Sequence, residues 1–298
     1  MLRMGSCVGA ASLAAVLLLA TTVTVAQTAQ TTQAKAVDTL ARIKAARQIN
    51  VAFSGDSPPF SFVAEGNQPA GYSIDICRKV IAQIGRDVGI PDLPVRWLVG
   101  TVSERIAMIV AGRADLDCAN TSETQVRLGS VDFSNRIFID VGGLLVKSSS
   151  RIDRLADLAN RRIGVISGTT TEARLRDALK TRLVNATVVL VREGPEGAAM
   201  LEAGSLDAFA GDKIKLVGLA ATSNDPNALR VLPDDISFEP YAFALARNDS
   251  AMRLEVNKAL SQISVSGDIE GIFKQWLGKL GRPTGLLSAL FLLNAIPE

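Results

Sequence analysis

An α/β fold of doubly wound, mostly parallel sheets is predicted by two observations. From residue 49 onward, short apolar runs alternate with amphipathic stretches at helical spacing. The chain also echoes itself: "AGRADLDCAN" (111–120) and "AGSLDAFAGD" (203–212) share one layout. In each, a helix closes on Ala-Gly, an aspartate follows, and a short strand runs into a polar residue, Asn120 or Asp212. Two similar α/β lobes would place those polar side chains at the carboxyl ends of equivalent strands, where open α/β sheets bind ligands. Asp115 and Asp207 themselves are explained by an ordinary helix-to-strand turn.

The elements follow in order. "INVAF" (49–53) reads as a strand. "GYSIDICRKVIAQIG" (71–85) sets Ile74, Cys77, Val80, Ile81 and Ile84 at helical spacing and closes on glycine. "VRWLV" (95–99) is a strand, "SERIAMIVAG" (103–112) a helix capped at Ser103, and "ADLDCAN" (114–120) a strand. Beyond Arg151, "RRIGVIS", "ATVVLV" and "LDAFAGD" are strands; "TTEARLRDAL" and "EGAAMLEAG" are helices. The apolar tail "TGLLSALFLLNAIPE" is too short to span a bilayer and is expected to dock as a helix on the first lobe, with a partner contact as the alternative.

The amino terminus has one early basic residue, Arg3, an apolar run and small residues ending at Thr24-Val25-Ala26. That is the layout of a secretory signal peptide over 1–26, implying a periplasmic protein, with an uncleaved anchor as the alternative. Residues 27–37 are polar and read as a flexible leader. The formal charge of +2 is interspersed, so nucleic acid is not expected as a partner. There is no histidine. The commonest general base and zinc ligand are therefore missing, and no metal or cofactor is expected. Cys77 and Cys118 survive processing, either as a disulfide or as two buried thiols.

"VISGTTTEARL" (165–175) carries the clearest binding chemistry. Helix amino termini present unpaired N–H groups and a partial positive charge, so they accept carboxylates and phosphates. No lysine follows as a phosphate loop would require. Taken alone, Thr169 or Thr170 caps the helix, with Glu172 reaching back. "CANTSETQVRLGSVDFS" supplies partners. Arg127 can grip a carboxylate through two parallel hydrogen bonds. An α-amino acid would find its carboxylate partners in Arg127 and Thr169, Thr170 and Thr171. Its ammonium would find Asp212, Asn120 and Ser122.

"PPFSF…GYSIDI", "ERI…GRADLDCANTSETQVR…VDFS", "ISGTTTE" and "AGSLDAFAGD" together resemble the periplasmic solute-binding proteins of polar amino acid ABC importers (family 3), nearest the glutamate/aspartate branch. The resemblance spans 46–281. It implies a type II periplasmic-binding-protein fold, with lobe 1 at 38–143 and 240–298 and lobe 2 at 144–239. Hinge strands "GGLLVKSS" and "SFEPYAFAL" would join them. It also implies that Arg127, with the N–H groups of Thr169 and Thr170, binds the α-carboxylate, and that Asp212 binds the ammonium. Arg105 matches an arginine that contacts an acidic side chain, whereas a second arginine of that branch falls at Ser54. The expectation is a monomer that captures glutamate, aspartate or another polar amino acid and delivers it to a membrane permease. The alternatives are an enzyme on the same scaffold, of the cyclohexadienyl dehydratase kind, and a soluble sensor subunit.

Overall fold

A computed structural model describes residues 38–296. The expected signal peptide and leader lie outside the described residues. The chain enters through α1 (Thr39–Ala46) and β1 (Ile49–Phe53), then a small three-stranded layer of β2 (Asp56–Ser57), β3 (Ser61–Val63) and β4 (Pro69–Ala70). α2 (Tyr72–Asp87), β5 (Val95–Val99), α3 (Val102–Val110), β6 (Leu116–Asp117) and the short α4 (Gln125–Leu128) follow. β7 (Val131–Lys147) leads to β8 (Arg162–Ile166), α5 (Thr170–Thr181), β9 (Thr187–Val191), α6 (Gly194–Glu202), β10 (Ala208–Asp212), α7 (Lys213–Ala221) and β11 (Leu229–Val231). β12 (Ser237–Ala246) returns to α8 (Ser250–Val265), α9 (Asp268–Leu277) and α10 (Gly285–Asn294).

Each segment buries what its periodicity offers. In α2, Ile74, Cys77, Val80, Ile81 and Ile84 all face the core. β1 pairs in parallel with β5 and β6, and β8 pairs in parallel with β9 and β10. Two pairs of apolar clusters divide the molecule into lobes. Buried members of one pair come from residues 43–138 and 241–291, and those of the other from residues 144–232. The sheet order is β5-β1-β6-β12-β7-β10-β8-β9. The lobes thus share one continuous sheet. β7 alone supplies 17 residues and runs from the first core into the second, antiparallel to β12 along most of its length. Gly142 and Gly143 lie within it. A Cβ on Gly142 would collide with Ser237 Oγ, and one on Gly143 would meet the Lys213 side chain at 2.7 Å. Close packing therefore accounts for both glycines.

Three details depart from the sequence expectations. α3 is capped by Thr101 instead of Ser103, because Glu104 closes a reciprocal box with the Thr101 hydroxyl and N–H. The strand expected over 114–120 shortens to Leu116–Asp117, since the chain then turns so that Ser122 can bridge to Tyr241 of β12. α6 begins at Gly194, with Pro195 in its first turn, where a missing N–H costs nothing. Cys77 and Cys118 form a disulfide, with Cα atoms 5.9 Å apart, tying α2 to the end of β6. The apolar tail docks as α10, burying Leu287, Leu290 and Phe291 in the first-lobe core.

Candidate functional site

The internal echo resolves into matched parts. Asp115 accepts the Asn50 N–H through Oδ2 at 2.7 Å, and Asp207 accepts the Arg162 N–H through Oδ2 at 2.8 Å. Each aspartate thus pins the first strand of its lobe, which accounts for the helix-to-strand turn. The polar residues that close the two echoes meet: Asn120 Nδ2 donates to Asp212 Oδ2 at 3.3 Å. Both line a cavity of about 650 Å³, together with Arg127, Thr169, Thr170 and Thr171.

At the second-lobe wall, β8 turns into α5 through Gly168, whose φ is +74°. A Cβ there would meet Ser103 Oγ of the first lobe at 2.6 Å, so glycine is needed both for the left-handed turn and for the close approach. The Thr169 hydroxyl accepts the Glu172 N–H at 3.1 Å, and Glu172 Oε2 accepts the Gly168 N–H at 2.9 Å. The capping role read from the sequence is present. It leaves the Thr169 and Thr170 N–H groups named from the resemblance, and that of Thr171, without a protein acceptor among the described residues. The Thr171 hydroxyl donates to Asp212 Oδ1 at 3.1 Å.

Asp212 ends β10 and is buried. Its Oδ2 also accepts the Tyr241 hydroxyl at 2.7 Å and lies 3.5 Å from Lys215 Nζ. Burial, followed by the charges of Asp212 and Asp140, raises the Tyr241 pKa well above its usual value, so the phenol stays a donor. Asn120 lines the cavity and donates an amide N–H to Asp212, and its carbonyl oxygen accepts no hydrogen bond among the described residues.

Arg127 lies on α4 and is half-buried. Its Nη1 donates to the Ser122 carbonyl at 2.7 Å. Among the described residues it has no carboxylate within 4.0 Å. Burial lowers its pKa, and the charge of Glu239 opposes that shift. A guanidinium held by a carbonyl and without a carboxylate within 4.0 Å keeps donors free for hydrogen bonding.

The side-chain end of the cavity differs from the sequence expectation. Arg105 is only 3% exposed. Its Nε donates to buried Asp117 at 2.8 Å, Nη1 to the Gly100 carbonyl at 2.8 Å, and Nη2 to the Thr121 hydroxyl at 3.1 Å. Its charge is therefore matched within the protein. The same cavity is also lined by a cluster in which Ser54 Oγ donates to Asp56 Oδ1 at 2.9 Å and accepts from Ser57 Oγ at 3.0 Å. Phe60 is fully buried against Tyr72, Phe138 and Tyr241, and Phe62 packs edge-on to Trp276. Phe60 belongs to the first-lobe core, whereas Phe62 is half-buried.

Sequence reasoning missed a group of acids on the two crossover strands. Glu239 is fully buried on β12, where Oε2 accepts the Ser122 hydroxyl and, at 2.6 Å, the Thr170 hydroxyl, while Oε1 accepts Ser237 Oγ at 2.6 Å. Burial and then the charge of Asp212 raise its pKa. Asp140 of β7 accepts the Val141 and Ile214 N–H groups at 2.8 and 3.3 Å, and burial followed by Asp212 pushes its pKa up to about 7. Their one sequence signal was a charged residue in an otherwise apolar strand.

A match to the model of the bacterial extracellular solute-binding proteins, family 3, covers residues 49–279. The chain belongs to this family. Within it, an L-glutamate/L-aspartate-binding protein of Pseudomonas aeruginosa is 30% identical over 249 residues, spanning 83% of this chain and 82% of its own. An ABC transporter glutamine-binding protein of Bacillus subtilis is 26% identical, spanning 89% of this chain and 94% of its own. Among solved structures, a solute receptor for L-cysteine of Neisseria gonorrhoeae superposes with a TM-score of 0.72 at 23% identity, over 81% of this chain and 94% of that one. The two-lobe fold expected from the sequence is thus shared with amino-acid-binding proteins of ABC importers.

Proposed function

We propose that this family 3 protein works outside the cytoplasmic membrane, capturing a polar α-amino acid between its lobes by hinge closure and handing it to an ABC permease. The observation that carries this reading is Arg127, a half-buried guanidinium with no carboxylate within 4.0 Å, lining the same cavity as Thr170, Thr171 and Asp212. The ligand α-carboxylate would bridge Arg127 and the free N–H groups of α5. The ammonium would sit on Asp212 and the carbonyl oxygen of Asn120. The named relatives are solute-binding proteins and not enzymes, which supports the non-enzymatic role.

Glutamate or aspartate is the first ligand reading, supported by the Pseudomonas relative. A neutral polar side chain is the second, favoured by the pairing of Arg105 with Asp117 and by the Ser54–Asp56–Ser57 cluster that lines the same cavity. Calorimetric titration with the twenty amino acids separates them. Heat with glutamate or aspartate upholds the first reading, and heat only with a neutral amino acid upholds the second. Absence of heat with all twenty rejects capture of an amino acid.

A further inference from the structure

We propose that Glu239 is an interlobe latch: a buried carboxylate on the crossover strand that takes one hydroxyl from each lobe and so holds the cleft closed. This rests on the reading that the lobes close around a ligand. The geometry is specific. Ser122 belongs to the first-lobe segment zipped onto β12, where the Glu123 N–H bonds to the Pro240 carbonyl at 2.8 Å and the Ala242 N–H to the Thr121 carbonyl at 3.1 Å. Thr170 opens α5 in the second lobe. Their hydroxyls converge on one oxygen, Oε2, while Oε1 is held by Ser237 from the same strand as Glu239. Ser237 has room for this because its strand partner is Gly142, whose bare Cα leaves space for the hydroxyl.

A carboxylate with a merely local role would collect its donors within one lobe. Glu239 is fully buried and, among the described residues, has no cation within 4.0 Å, so hydroxyls are its direct partners. If α5 swings away, Thr170 is withdrawn from an ionised group that has few substitutes, and hydrogen bonds to charged groups are among the stronger ones. The closed arrangement gains by that difference. The latch also shares parts with the ligand clamp. The Ser122 carbonyl holds Arg127, and Thr170 is the first residue of the helix whose N–H groups face the cavity. A ligand that draws α5 towards Arg127 would set the latch in the same movement.

The test uses the purified protein without ligand, and small-angle scattering as the readout. Glu239→Gln keeps the shape but removes the charge. Thr170→Val removes only the second-lobe hydroxyl and keeps the backbone N–H. Both should enlarge the radius of gyration of the ligand-free protein. For any amino acid that binds the wild type, both should weaken Kd about tenfold, mainly through faster release. Ser237→Ala removes a donor from the same strand and should lower Tm without enlarging the molecule. If Glu239→Gln does not fold, Thr170→Val decides. Unchanged scattering and unchanged Kd in the folded variants overturn the latch. If none of the twenty amino acids binds the wild type, the capture reading fails, while the ligand-free scattering still decides the latch.

Discussion

Arg127 and Asp212 are the two charges on which the proposed capture depends, and they answer to different substitutions. Arg127→Lys keeps a cation but loses the planar fork, so it should weaken an α-carboxylate ligand by about tenfold or more. Arg127→Ala should weaken it by at least about a hundredfold, because a desolvated charge partner is removed. Wild-type affinity in Arg127→Ala, measured by calorimetry, would sink the carboxylate assignment. Arg105 predicts a different phenotype. Its replacement by alanine leaves Asp117 buried without its cation, a loss of about 3–5 kcal/mol. Arg105→Ala should therefore show in thermal unfolding before it shows in ligand choice, and a Tm equal to wild type would argue against the pairing. The sequence reading assigned Arg127 to the α-carboxylate and, by resemblance, Arg105 to an acidic side chain, and gave no sign that Arg105 has a partner within the protein. The difference lies in Asp117, a residue inside a short apolar strand whose side-chain direction no spacing rule reveals.

The helices and strands were legible wherever periodicity and capping agreed. α2 and α5 were read nearly to their ends, α2 from its apolar spacing and α5 from its threonine cap. β6 was over-read, because "ADLDCAN" is apolar enough for a strand yet Asn120–Glu123 is drawn sideways onto β12. The disulfide was left open, since two cysteines 41 residues apart set no distance until α2 is laid against β6. Closing such a loop restricts the unfolded chain and stabilises by about 2–4 kcal/mol. Cys77→Ser with Cys118→Ser should accordingly lower Tm by roughly 5–10 °C. The lining of the cavity lies elsewhere, so amino acid affinity at low temperature should change little. An unchanged Tm would mean that the bond is absent in solution.

Acidic residues gather where the lobes join, and this sets how the whole molecule responds to pH. Asp140, Asp212 and Glu239 are buried around Tyr241, with Lys215 as the nearby cation of Asp212. No spacing rule brings them together, because Asp140 and Glu239 come from strands about 100 residues apart that pair only in the folded sheet. Asp140 holds its proton up to about pH 7, whereas an aspartate in the unfolded chain releases it near pH 4. Between those values the folded protein binds a proton that the unfolded chain has lost, so stability falls as pH rises. The contribution is complete below about pH 4 and lost as pH passes 7, and the gap between the two pKa values corresponds to roughly 4 kcal/mol at most. Glu239, raised in the same direction, adds to the same slope. Asp140→Asn carries no ionisable proton, and its amide can still accept the Val141 N–H. Thermal unfolding from pH 5 to pH 8 should show Tm declining in the wild type and declining less in Asp140→Asn, with the curves furthest apart at pH 8. Parallel curves would show that Asp140 is ionised across the range, and that the junction between the lobes carries that charge despite its burial.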